Sequence, residues 1–107
     1  MFEILPFKYK KIKDKCYSAS IEAIEHTDLF KDYSIIGNGY DIEKIFMLFL
    51  DENEFDIKTI ITDSESEMFI VYCENKELLI DIILKFKNYM DNTDNLSNAI
   101  RKIDFEN

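Results

Sequence analysis

Apolar and polar residues alternate along residues 7–12, with Phe7, Tyr9 and Lys11 on one side and Lys8, Lys10 and Ile12 on the other. After Lys13-Asp14-Lys15 the alternation resumes over residues 16–21, where Tyr17, Ala19 and Ile21 oppose Cys16, Ser18 and Ser20. Period two on both sides of a short polar break predicts a β-hairpin. Residues 26–33 fit a short helix, with Thr27 or Asp28 as cap and Leu29, Phe30 and Tyr33 on one side. From Asp41 the period changes: Ile42, Ile45, Phe46, Phe49 and Leu50 fall at i, i+3, i+4, i+7 and i+8, the stripe of a buried helix. Asp41 is its expected N-cap, and Asp51-Glu52-Asn53-Glu54 its end.

A second hairpin is predicted from residues 57–62 and 68–73, joined by the acidic loop Asp63-Ser64-Glu65-Ser66-Glu67. Met68-Phe69-Ile70-Val71-Tyr72-Cys73 is apolar on both faces, the mark of a central strand. Asn75 then caps a helix reaching about Met90, with Leu78, Leu79, Ile82, Ile83, Phe86, Tyr89 and Met90 on one broad face. A last helix is expected near residues 95–103. The order ββααββαα predicts an α+β domain, a four-stranded antiparallel sheet of two hairpins with helices packed on one face.

The chain has 107 residues, of which 47% are hydrophobic, enough for one core and one domain over residues 1–107. Only two glycines and one proline are present and 33% of residues are charged, which excludes collagenous and linker-like chains. No stretch of 18 apolar residues exists to span a membrane. In the first 15 residues the apolar positions precede the lysines, the reverse of a secretory signal, and two cysteines make no disulfide framework. A cytoplasmic location is therefore expected.

Charge adds a functional pointer. Thirteen basic and 22 acidic residues give −9 overall; residues 1–15 sum to +3 and residues 16–107 to −12. Such a body repels phosphate backbones, which excludes nucleic acid as partner, and favours a basic protein; the plainer reading is that acidity keeps the chain soluble. Chemistry is sparse. His26 is the single histidine, Cys16 and Cys73 are isolated, and neither metal-ligand spacing nor a nucleophile motif occurs. No enzyme activity, cofactor or metal is expected. Gly37-Asn38-Gly39-Tyr40-Asp41 holds both glycines. It lacks the spacing of a phosphate-binding loop and reads as a tight turn that aims the chain into the helix, since Asn and Gly tolerate positive φ.

The hairpin separates the acids into two clusters. Asp63, Glu65 and Glu67 lie at its tip; Asp51, Glu52, Glu54, Asp56, Glu74 and Glu77 lie about 20 Å away at its open end. The larger cluster is the expected contact for a basic partner. Tyr40 and Tyr72 are candidate aromatic anchors or half-buried core residues.

GNGYD at residues 37–41, the amphipathic helix after it, a strand, an acidic turn and then MFIVYCENKELL at residues 68–79 together resemble immunity protein family 51 of bacterial polymorphic-toxin systems. Met68-Phe69 and Asn75-Lys76-Glu77-Leu78 carry the later part of the match, and Ile42 replaces the aromatic that often follows the aspartate in that family. The similarity covers roughly residues 7–100. It implies a non-catalytic protector that binds a cognate toxin domain, a nuclease being one fit, in the producing cell. The competing class is an acidic regulatory module or DNA mimic without a dedicated toxin. Oligomeric state is left open.

Overall fold

The computed structural model describes residues 7–22 and 38–103. Strands β1 (Lys8–Lys13) and β2 (Cys16–Glu22) form the first hairpin. Helix α1 (Gly39–Glu52) follows, then β3 (Ile60–Thr62) and β4 (Met68–Cys73), and finally α2 (Lys76–Asp91) and α3 (Thr93–Lys102). The helix expected over residues 26–33 lies outside the described residues, as do His26 and Gly37.

All strand pairs are antiparallel and the sheet order is β1-β2-β4-β3. β4, apolar on both faces, lies between β2 and β3 as its composition predicts. The register aligns Tyr9, Ala19 and Val71 across three strands, with Tyr17 opposite Cys73 and Ile21 opposite Phe69. These residues point to the helical side. The other face carries Lys8, Lys10, Ser18, Ser20, Ile70, Tyr72 and Ile61, by the period-two rule. The fold is the expected α+β arrangement of an antiparallel sheet with helices on one face.

The core between these layers is a run of aromatic rings. Phe86 of α2 sits among Phe46 at 5.0 Å, Phe49 at 5.3 Å, Phe69 at 5.9 Å and Phe7 at 6.0 Å between ring centroids. Edge-on and tilted angles such as the 75° between Phe46 and Phe86 suit the ring quadrupoles. Ile42, Ile45 and Leu50 of α1 and Ile82 and Ile83 of α2 complete it, all buried.

Three helix starts follow one device. Asn38, Asn75 and Asn92 each accept a hydrogen bond from the backbone N–H three residues on, at 2.9–3.0 Å, satisfying an otherwise orphan donor. Asn75 is the cap the pattern predicts. At α1 the cap is Asn38, not Asp41: Asn38 is extended (φ −77°, ψ −178°) and Gly39 is already helical. The described part of the GNGYD motif is thus the first turn of a helix, and Gly39 serves by closeness to its neighbours rather than by positive φ. Its N–H donates to the Ser66 carbonyl at 2.9 Å, docking α1 on the tip of the second hairpin. A Cβ there would overlap the carbonyl oxygens of Glu65 and Met68.

Two further boundaries differ from the sequence pattern. β3 begins at Ile60 rather than residue 57, because Ile60 N–H bonds the Ile57 carbonyl and Lys58 N–H bonds the Asp56 carboxylate, which makes residues 56–60 a turn. α3 begins two residues before the expected start, at Thr93, because Asn92 caps it.

Candidate functional site: the acidic end of the sheet

With its start on the hairpin tip, α1 carries Asp51 and Glu52 to the opposite end of the sheet. There the helix closes in a Schellman arrangement: Glu54 N–H bonds the Asp51 carbonyl at 3.2 Å and Phe55 N–H bonds the Leu50 carbonyl at 3.1 Å. Phe55 packs on Phe49, ring centroids 5.8 Å apart, as that motif's apolar contact requires. Glu54 occupies the left-handed position at φ 56°, which glycine fills most readily. The strained residue displays an exposed carboxylate.

Asp56 follows, its Oδ1 accepting from Lys58 N–H at 3.0 Å, and leads into β3. Beyond Thr59, whose Oγ1 lies 3.9 Å from Cys73 Sγ, the rim continues to Glu74 and Glu77 at the start of α2. Both line a shallow cleft of about 530 Å³ with Lys15, Tyr17, Thr59 and Lys76. Glu77 in the first turn of α2 also lies where the unpaired N–H groups favour negative charge.

The six carboxylates form an arc with two ends. Glu52 lies against Tyr89, and Glu77 stands twelve residues earlier on the same helix, about 18 Å away along its axis. Lysines interrupt the arc: Lys85 stands 5.6 Å from the Phe55 ring centroid and Lys76 the same distance from that of Tyr9. Glu52 is already engaged. Its Oε1 accepts from the Tyr89 hydroxyl at 3.2 Å and its Oε2 meets Lys102 Nζ at 2.8 Å, tying the ends of α1, α2 and α3 together. Burial, then the Glu52 charge, then the hydrogen bond to it push the Tyr89 hydroxyl pKa up from 10.0 to about 12.

Asp63, Glu65 and Glu67 stay at the hairpin tip, exposed. Tyr40 is half exposed on α1, and Tyr72 is half-buried on the open face of the sheet. The sheet edges differ in sign. Residues 8–15 along β1 hold five lysines and one aspartate, net +4; residues 54–67 around β3 hold five acids and one lysine, net −4. Ile57 and Ile61, 50% and 64% exposed, were not singled out by the sequence pattern; the signal available was three isoleucines within five residues, too many for one face of so short a strand. Among the described residues no group of three or more His, Cys, Asp or Glu side chains is placed to hold a metal ion, and both cysteines are free thiols. No helix of the described residues is long and apolar enough to cross a membrane.

Fold and site together define a small α+β domain with an acidic rim. Residues 7–105 match the family model described as Immunity protein 51, and the chain belongs to that family. The match confirms the resemblance carried by residues 37–41 and 68–79. Comparison with curated proteins and with solved structures gave no match. Membership gives the chain a toxin-immunity role: such proteins bind a cognate toxin protein and are generally not catalysts.

Proposed function

We infer that this chain acts in the cytoplasm of a toxin-producing bacterium, binding one cognate toxin domain and blocking it without catalysis. The contact lies on the acidic rim of Asp51, Glu52, Glu54, Asp56, Glu74 and Glu77, and the toxin surface it covers is basic. A nuclease, whose substrate groove must be cationic to hold a phosphate backbone, fits that requirement best. The observation that carries this reading is the match to an immunity family over nearly the whole chain, in a protein of net charge −9. Glu54 adds support: a carboxylate stands in a left-handed position where glycine costs less, strain of the kind that gathers at functional sites.

The test is co-expression of the chain with the toxin domain it accompanies, scored by survival. Asp51, Glu54 and Glu74 are reversed together to lysine; Glu52 and Asp56 are left intact, because loss of the first breaks the tie to Lys102 and Tyr89 and loss of the second breaks the turn that Asp56 makes with Lys58 N–H. Loss of protection with an unchanged unfolding midpoint, and an affinity that weakens as salt rises, is the expected result. Full protection by the triple variant, or a salt-insensitive affinity, would overturn the acidic contact. Broad inhibition of unrelated DNA-binding enzymes would favour the DNA mimic instead.

A further inference from the structure

We propose that the outer edge of β3, unpaired among the described residues, docks an extended strand of the partner toxin, a segment apolar at its centre and basic at both ends. The proposal rests on the immunity reading and names how that contact is made. In the sheet order β1-β2-β4-β3 the two edges are β1 and β3. Asp63 N–H bonds the Ile70 carbonyl at 3.0 Å, so alternation makes Ile61 the residue whose backbone groups face β4. Ile60 and Thr62 therefore turn theirs outward. Ile60 N–H is taken by the Ile57 carbonyl, which leaves the Ile60 carbonyl and both Thr62 groups with no hydrogen bond among the described residues.

Among the described residues no further strand covers these groups, and exposed isoleucines stand beside them. Ile61 is 64% exposed, the most exposed large hydrophobic of the described residues, and Ile57 is 50% exposed. The opposite edge is guarded as edges usually are: four lysines lie within β1, and its register shifts between Lys11 and Lys13. At β3, Glu54 and Asp56 precede the strand, Asp63, Glu65 and Glu67 follow it, and all are exposed. Charge then selects the occupant. A second copy joined through its own β3 sets acids against acids. A second copy joined through β1 matches in sign, but the bulge breaks that edge's register and the head-to-tail pairing does not close. A basic-flanked strand meets the acids in either orientation, adding main-chain hydrogen bonds for affinity and apolar contact on the exposed Ile61 side chain for specificity.

The probe is a synthetic peptide alternating valine and threonine with two arginines at each end, titrated into the isotope-labelled full chain. Saturable amide shifts confined to residues 57–63 and slower exchange of the Thr62 amide are expected, with at least tenfold weaker binding to Thr62→Pro. That substitution removes an outward N–H and no ladder hydrogen bond to β4, and Ile61→Lys serves as a second variant that keeps the backbone. Shifts located elsewhere, unchanged Thr62 exchange, or no saturable binding at millimolar peptide overturn the proposal. So does self-association that Thr62→Pro abolishes, which would make the occupant a second copy. In the survival assay, wild-type protection by both variants defeats the edge proposal and leaves the immunity reading standing. A wild-type chain that protects against no toxin domain defeats the immunity reading and, with it, the toxin strand as occupant.

Discussion

The Tyr89 hydroxyl donates to Glu52 across 37 positions of sequence, 3.2 Å from oxygen to oxygen, while the other oxygen of the same carboxylate holds Lys102. One carboxylate thereby joins the ends of three helices. Burial first, and then the charge of that carboxylate, keep the phenol from ionising, and this sets a dependence on pH. The folded chain holds the Tyr89 proton up to about pH 12, whereas the unfolded chain releases it near its ordinary value of about 10. Between those values the unfolded state binds fewer protons, so stability falls as pH rises through that window and levels off above it. Tyr89→Phe should flatten this part of the curve. Urea unfolding of both chains between pH 9 and 12.5 measures it.

Gly39→Ala reverses the usual sign of that substitution. In most helices alanine is favoured over glycine by about 1 kcal/mol. Here the new methyl meets the carbonyl oxygens of Glu65 and Met68, backbone that cannot rotate aside. A loss of roughly 1–3 kcal/mol, the range for overpacking, is expected in the unfolding free energy measured by urea denaturation. Slower docking of α1 onto the second hairpin should accompany it.

Glu54→Gly should move stability and protection in opposite directions. Relief of the left-handed strain at φ 56° should raise stability by about 1 kcal/mol. If the rim contacts the toxin, the same change lowers survival in co-expression. A variant that is both more stable and fully protective would remove Glu54 from the contact.

Phe86→Ala tests the core. Phe86 meets Phe7, Phe46, Phe49, Phe69 and Tyr89, and it is fully buried. Truncation should cost roughly 3–5 kcal/mol, a large share of the stability of an ordinary domain. Calorimetry should show the loss, with near-native far-ultraviolet dichroism at low temperature.

The residues show where sequence suffices and where it does not. Asn75 and the stripe from Leu79 to Met90 identify α2 because cap and period are local properties, and the doubly apolar β4 declares its central position in the same way. Asp41 and Asn38 both suit a cap; the choice falls to Asn38 because Gly39 must approach Ser66, a contact between distant segments. Ile57 counts as apolar in any pattern, yet it stands exposed in a turn made by the Asp56 side chain. The acidic rim could be grouped from hairpin geometry. The pairing of Glu52 with Lys102, 50 positions away, could not, and neither could the unpaired groups of β3, which depend on strand order.

Opposite edges of unlike sign make the sheet an electric dipole. Three strand spacings separate β1 from β3, about 14 Å, so charges of +4 and −4 correspond to a moment of roughly 270 debye, of the size that orients proteins in an encounter. A positively charged surface approaching the molecule exerts a torque that swings the lysine edge away and brings β3 forward. Screening confines this torque to about the last 8 Å at physiological salt. The chain therefore meets such a surface already turned, and fewer collisions are spent finding the productive face.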